Sequence, residues 1–289
     1  MVLTARHELA RRLGFDEHPR TVKIRRPFAL VFVLACGGNQ TASQTPTNAA
    51  SAAPQVTAIA KVEVPAALQA VVDATDRSAE DRALDAGRHP GETLAFFGIA
   101  PGMHVADLAA GNGYTTELLA RAVGPSGQVF SQNNKFVLGF ANEGWTMRLA
   151  KPALKNVVRV ERELEDPLPA EAKDLDAVVM IFFYHDTYWQ KADRAKMDAA
   201  IFAALKSGGI YGIVDHRSAD GVGATAVQTF HRIEESAVIA DVTKAGFIAD
   251  SEAMFMRNAD DKHDWNPSPR AAGERRGTSD RMVLKFKKP

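Results

Sequence analysis

The chain has 289 residues and a single cysteine, Cys36, so no intrachain disulfide can staple it. It lacks an excess of either charge. Thirty-five Lys and Arg face 35 Asp and Glu, a formal net charge of zero. That balance supplies no bulk attraction for a nucleic-acid backbone, and nucleic acid is not expected as a partner. The cluster Arg270, Arg275, Arg276 and Arg281 is local and reads as a solvated face or loop. Long apolar runs are missing too. The run Phe28–Ala35 is too short for a mature membrane span, which needs about 20 residues. No internal repeat occurs, so a solenoid or propeller is excluded.

Among the segments present, residues 104–113, His-Val-Ala-Asp-Leu-Ala-Ala-Gly-Asn-Gly, carry the most information. An apolar strand led by His104 and Val105 runs into a small-residue turn. A helical pattern follows over residues 115–123, and Gly124 can stop it. Strand, glycine turn and helix is how an α/β protein opens its first strand end to a nucleotide-like ligand. Gly111 and Gly113 would let the backbone approach that ligand closely. A dinucleotide site would need a third glycine after Gly111 and Gly113, and Thr116 stands there instead.

The pattern Asp107-x-Ala109-x-Gly111-x-Gly113 resembles the first motif of class I S-adenosylmethionine-dependent methyltransferases, with Ala109 in the first glycine position. Further segments support the resemblance. Residues 127–133, 156–160 and 175–183 read as second, third and fourth strands. The turn Leu205-Lys206-Ser207-Gly208-Gly209 leads into a fifth strand over residues 210–216. Lys244-Ala245-Gly246-Phe247 closes an amphipathic helix, and residues 281–287 fit an antiparallel last strand. The resemblance covers roughly residues 65–289, and is nearest to a bacterial group of methyltransferases of undefined substrate. It implies a doubly wound Rossmann-like α/β domain with a mostly parallel sheet, S-adenosylmethionine as cofactor, and an acceptor expected to be a small molecule. Asp107, Ala109, Gly111 and Gly113 would line the cofactor. The ribose position, acidic in the family, falls here on Asn133, or on Gln132 one residue earlier. An amide bonds a hydroxyl without charge assistance.

Methyl transfer from a sulfonium needs alignment and exclusion of water more than it needs a base. Polar residues at strand ends are therefore the candidates for acceptor contact. Tyr184, His185 and Asp186 follow the fourth strand, with His185 suited to act as a base and Tyr184 to pack on the methyl donor. Asp215 and His216 form a second pair at the same rim, and His231 sits in a helical pattern over residues 229–235. No spacing among these residues demands a metal ion. The charged stretch over residues 74–90 could fold as lid helices within residues 65–100, with Arg88 and His89 facing the cofactor carboxylate or the acceptor; solvated helices with surface ion pairs are the competing reading.

Residues 1–36 read as a targeting segment. Lys23, Arg25 and Arg26 precede the short apolar run, and Leu34-Ala35-Cys36-Gly37 resembles a bacterial lipobox. Residues 37–64 then read as a flexible tether. This order implies a lipid anchor on Cys36 and a cell-envelope, periplasm-facing location; a cytoplasmic location is the alternative. Export would separate the domain from cytosolic cofactor, so an exported, non-catalytic binding module is the second functional reading.

Overall fold

A computed structural model describes residues 55–289. The targeting segment, Cys36 and residues 37–54 of the tether lie outside the described residues. The rest of the expected tether is partly ordered: Ile59–Ala60 forms a short strand, β1. Three helices follow, α1 (Ala66–Val72), α2 (Ala79–Arg88) and α3 (Pro90–Phe96). The order then alternates: β2 (His104–Leu108), α4 (Tyr114–Val123), β3 (Gln128–Asn133), α5 (Lys135–Leu149), β4 (Val157–Glu161), β5 (Leu175–Ile181), α6 (Tyr184–Trp189), α7 (Arg194–Ala204) and β6 (Leu205–His216). A short α8 (Val227–Phe230), α9 (Glu235–Lys244), β7 (Ile248–Ala253) and β8 (Arg281–Lys287) complete the chain.

One eight-stranded sheet runs β1-β7-β8-β6-β5-β2-β3-β4. Strand β8 is antiparallel to β6 and β7, and the other pairings are parallel. This is the mostly parallel, doubly wound sheet with an antiparallel last strand that the motif order predicted. The strand order reverses at β2, which lies between β3 and β5. The carboxyl ends of β2 and β5 therefore open side by side at the topological switch point, where α/β sheets bind ligands.

The central strands bury both faces, which is why they read as near-continuous apolar runs. Val105, Val129, Val179 and Val214 pack toward α1, α3 and α4. Leu108, Phe130, Met180 and Ile213 pack on the other face, toward α6, α7 and α9.

Several expectations are corrected. The Leu205–Gly209 turn is drawn into β6: Leu175 pairs with Leu205, the register slips, and Ala177 pairs with Ile210. Gly208 takes φ +78°, and the Lys288 backbone bonds both Gly208 and Gly209. The helix expected over residues 229–235 stops at Phe230 because His231 turns left-handed, at φ 46°. Edge strand β1 and its neighbour β7 were not legible: β1 is two residues long, and β7 carries Asp250 and Glu252 in a short alternating pattern.

Candidate functional site

Asp107 ends β2 and is 1% exposed. Its carboxylate accepts the Thr116 hydroxyl at 2.6 Å, and that hydroxyl also meets Ser131 Oγ at 2.8 Å. The indole N–H of buried Trp145, on α5, donates to the same Ser131 oxygen at 2.9 Å. The first turn of α4 is thus tied to β2, β3 and α5 through one buried polar chain. Ala109, Gly111 and Gly113 all take positive φ, at 51°, 58° and 78°. Ala109 bears a left-handed conformation that glycine would adopt without a Cβ penalty. A Cβ on Gly111 would meet nothing within 4 Å, so the turn faces open space there.

The structure corrects the role expected of Gln132 and Asn133. Both are fully buried and turn back onto the loop. Asn133 Oδ1 accepts the Gly111 N–H at 2.9 Å while its Nδ2 donates to the Gly111 carbonyl at 3.0 Å. Gln132 Oε1 accepts the Ala109 N–H at 2.9 Å, and its Nε2 donates to the Arg162 carbonyl at 2.6 Å. These amides hold the glycine turn in shape and present no free group to a ribose.

Helix α2 is tied to this turn through Arg148, and its ion pairs are not a solvated surface set. Arg148 on α5 donates to both Asp81 carboxylate oxygens at 2.6 and 2.9 Å, to Glu117 at 2.5 Å and to the Asn112 carbonyl at 2.6 Å. Arg77 pairs with both Asp85 oxygens at 2.7 and 2.8 Å, and Tyr114 OH donates to Asp85 at 2.5 Å. Burial would raise the Asp81 and Glu117 carboxyls, but Arg148 at Asp81, and Lys151, Arg121 and Arg148 at Glu117, outweigh it and lower both.

At the end of α2, Arg88 places its guanidinium 4.6 Å from the Tyr114 ring centroid and 5.5 Å from that of Phe182. Its side chain takes part in none of the hydrogen bonds or salt bridges found among the described residues. Phe182, just past β5, has φ 58°, a strained value for a bulky residue. Its ring stacks on His216 at 4.9 Å. Arg281 stands 5.7 Å from the same ring and is 4% exposed, donating to the carbonyls of Gly87, Gly277 and Ser279. The solvated face expected of the late arginines does not include it. His89 faces elsewhere, 3.2 Å from Glu92 and against Phe255.

Past β5 the expected trio separates. Tyr184 is fully buried under α7, donating to Asp198 at 3.0 Å, and belongs to the core. It cannot pack on a methyl donor. His185 and Asp186 remain at the rim. The His185 imidazole meets Asp215 Oδ1 through Nδ1 at 2.7 Å, and its backbone N–H donates to Asp215 Oδ2 at 2.7 Å. Its Nε2 lies 3.1 Å from Asp186 and 3.3 Å from His231 Nδ1. Burial pulls this imidazole down, but the Asp215 and Asp186 carboxylates outweigh it and hold it up at about 10. Burial also drives His216 well below its ordinary value. The sequence placed His231 in a helix; the left-handed turn that ends α8 instead brings it to His185.

Burial pushes the Asp107 carboxyl up to about 7, against the Thr116 hydroxyl and the Arg88 charge. A raised carboxyl stabilises the fold when protonated, so this group costs stability as pH rises from about 4 toward 7. The ligand-free Asp107→Asn variant is therefore expected to be more stable than wild type at pH 8, by at most about 4 kcal/mol. The two should converge near pH 4. Urea unfolding across that range checks this, and a wild type that gains on the variant as pH rises would refute it.

A surface depression of about 520 Å³ lies at the opposite end of the sheet, between α1 and the end of α4. It has no titratable cluster and takes no part in the switch-point site. No protein-family model matches the chain, and no curated protein matches it. Solved structures do resemble it. One is a methyltransferase dependent on S-adenosylmethionine from Aquifex aeolicus, with 18% identity and a TM-score of 0.50 over 76% of this chain and 97% of that one. Another, assigned as a sarcosine dimethylglycine methyltransferase from Galdieria sulphuraria, has 16% identity and a TM-score of 0.54 over 75% and 89%. A third, assigned as a methyltransferase, was solved with the Haloferax volcanii Trm112 activator; it has 18% identity and a TM-score of 0.50 over 79% and 100%. At these identities the likeness establishes the fold.

Proposed function

We propose that the protein is an S-adenosylmethionine-dependent methyltransferase acting on a small-molecule acceptor. The observation that carries this reading is the unpaired Arg88 guanidinium, set against the Tyr114 and Phe182 rings at the switch point where the glycine turn leaves open space at Gly111. A half-buried guanidinium with no acidic partner is a ready site for an anion. The amino-acid end of the cofactor has a carboxylate of the right chemistry, and bidentate pairing with a guanidinium is strong.

The residue set fits the methionine half of the cofactor better than the ribose half. Arg88 would hold the carboxylate, Gly111 would admit it, and the Tyr114 and Phe182 rings favour a cationic sulfonium nearby. The bound cofactor supplies a methyl group on an already activated leaving group. The protein's own contribution is then alignment and dryness, to which α2 contributes through its Arg148 tie to the turn. No carboxylate stands at the end of β3, so the ribose contact carries less of the affinity than in relatives with an acidic residue there. His185, held by Asp215, and Asp186 would then meet the acceptor.

Isothermal titration with S-adenosylmethionine, its demethylated product and NAD tests the reading. The sulfonium compound and its product should bind, and NAD should not. In Gly111→Val a branched side chain fills the open space at the turn, and binding should be lost. The left-handed backbone adds a stability cost of about 1–2 kcal/mol, which leaves the domain folded. Unchanged affinity in folded Gly111→Val, or preferential binding of NAD, would sink the proposal.

A further inference from the structure

Three side chains past the cofactor-side rings meet in a way the methyl-transfer reading does not require. His185 Nε2, Asp186 Oδ1 and His231 Nδ1 lie 3.1, 3.3 and 3.2 Å apart, pair by pair. We propose that these three atoms bind one divalent transition-metal ion of the zinc class, with Asp215 orienting His185 from behind.

Three lines of geometry and charge support this. Two ligand atoms on a tetrahedral ion with bonds of about 2.0–2.1 Å stand about 3.3 Å apart, so all three observed separations match one coordination edge. As a hydrogen-bonded set Asp186 Oδ1 can accept from both imidazoles, but the two ring N–H groups then face each other across 3.3 Å. A central cation uses all three lone pairs at once. The donor set also carries charge that no lysine or arginine answers. Among the described residues, neither Asp186 nor Asp215 pairs with a lysine or arginine; their charged partners are histidines. Asp186 Oδ1 accepts one further hydrogen bond, from Trp189 Nε1 at 2.5 Å. Two carboxylates against a doubly charged ion balance, and the Nε2 proton leaves when the ion enters.

The surroundings are those of a prepared ligand set. Asp215 holds the far nitrogen of His185 at 2.7 Å, the carboxylate–histidine arrangement that fixes a metal-binding imidazole. Its other oxygen takes the His185 backbone N–H at 2.7 Å. His231 reaches the triangle only through its left-handed backbone, φ 46°, a strained value for a non-glycine residue. The Asp186 and His231 side chains keep 15% and 27% of their surface, whereas His185 keeps 3%. The ion would have an entry path and an open fourth position for water or an anionic oxygen or sulfur ligand. His216 is excluded as a ligand: its Nδ1 meets Ser279 at 2.8 Å, and its ring lies 6.0 Å from that of His185. Its ring stacks on Phe182, the ring that Arg88 also approaches. If the methyl-transfer reading holds, the open position lies where an acceptor's oxygen or sulfur would be held and deprotonated.

The test uses the full chain in a Cys36→Ser background, which removes the one thiol. The protein is stripped with a chelator and titrated with zinc chloride by calorimetry, and with cobalt(II) by absorption. We expect one tight equivalent and the intense visible bands of tetrahedral cobalt. His231→Ala and Asp186→Asn should each weaken zinc by about 100-fold or more, and Asp215→Asn by about 10–100-fold. His263→Ala, whose imidazole bonds Asp280 and none of the three ligands, should bind as wild type does. Circular dichroism confirms folding. His231 is part-exposed, so its variant decides the matter even if Asp186→Asn does not fold. Absence of a stoichiometric site, or wild-type zinc affinity in His231→Ala, would overturn the proposal. No S-adenosylmethionine is present in this measurement, so failure here and failure of the methyltransferase reading are separable.

Discussion

Arg88→Met should lose binding of S-adenosylmethionine by about 10–100-fold, the worth of a charge-assisted contact to a carboxylate. The methionine stem keeps contact with the Tyr114 and Phe182 rings, so the packing between α2 and the end of β5 is preserved. Removing the charge also relieves the fold. Burial, with Arg276 adding repulsion against the pull of Tyr114, Asp81 and Asp107, lowers the Arg88 guanidinium from its ordinary value. The variant is therefore expected to be at least as stable as wild type without ligand, while binding is lost. That opposition between stability and affinity is the signature of a group held unpaired for a ligand. Calorimetric titration together with thermal melting reads both quantities. A variant that binds as well as wild type, or one that is markedly less stable, would assign Arg88 a structural role.

The second large effect is expected at Arg148. Arg148→Met leaves Asp81 without its bidentate partner and takes one of three cations from Glu117, which keeps Arg121 and Lys151. Stranding a largely buried carboxylate should cost about 3 kcal/mol, a drop of roughly 6–12 °C in melting temperature for a domain of this size. The pH dependence has a defined sign. The Asp81 carboxyl is lowered in the fold, so its contribution is present above its unfolded value and is lost as pH falls below about 4. The gap between wild type and Arg148→Met should thus be widest near pH 7 and should narrow in acid. Arg148 also donates to the Asn112 carbonyl, so cofactor affinity should fall in the same variant. A gap constant from pH 7 to pH 3 would mean that lost packing, rather than the ion pair, sets the cost.

The sequence by itself determined the central strands and the switch-point turn. Val105–Leu108, Val129–Ser131, Ala177–Ile181 and Ile210–Val214 are short apolar runs because both faces of a parallel sheet are covered, and that pattern is local. The glycine turn was legible for the same reason: positive φ at Gly111 and Gly113 is a property of those residues alone. Tertiary structure decided which way the polar side chains point. Gln132 and Asn133 sit at the strand end where a ribose contact was expected, but the bend of the 109–111 turn brings open backbone groups within their reach, and a buried amide must satisfy both ends. Tyr184 and His185 are adjacent in sequence, yet the first turn of α6 sends one under α7 and the other to Asp215. His231 joins His185 across 46 residues because β5 and β6 are neighbours and α8 stops at a left-handed residue. A local pattern records periodicity and turn chemistry; it does not record which distant carboxylate or imidazole the strand order will bring within 3 Å.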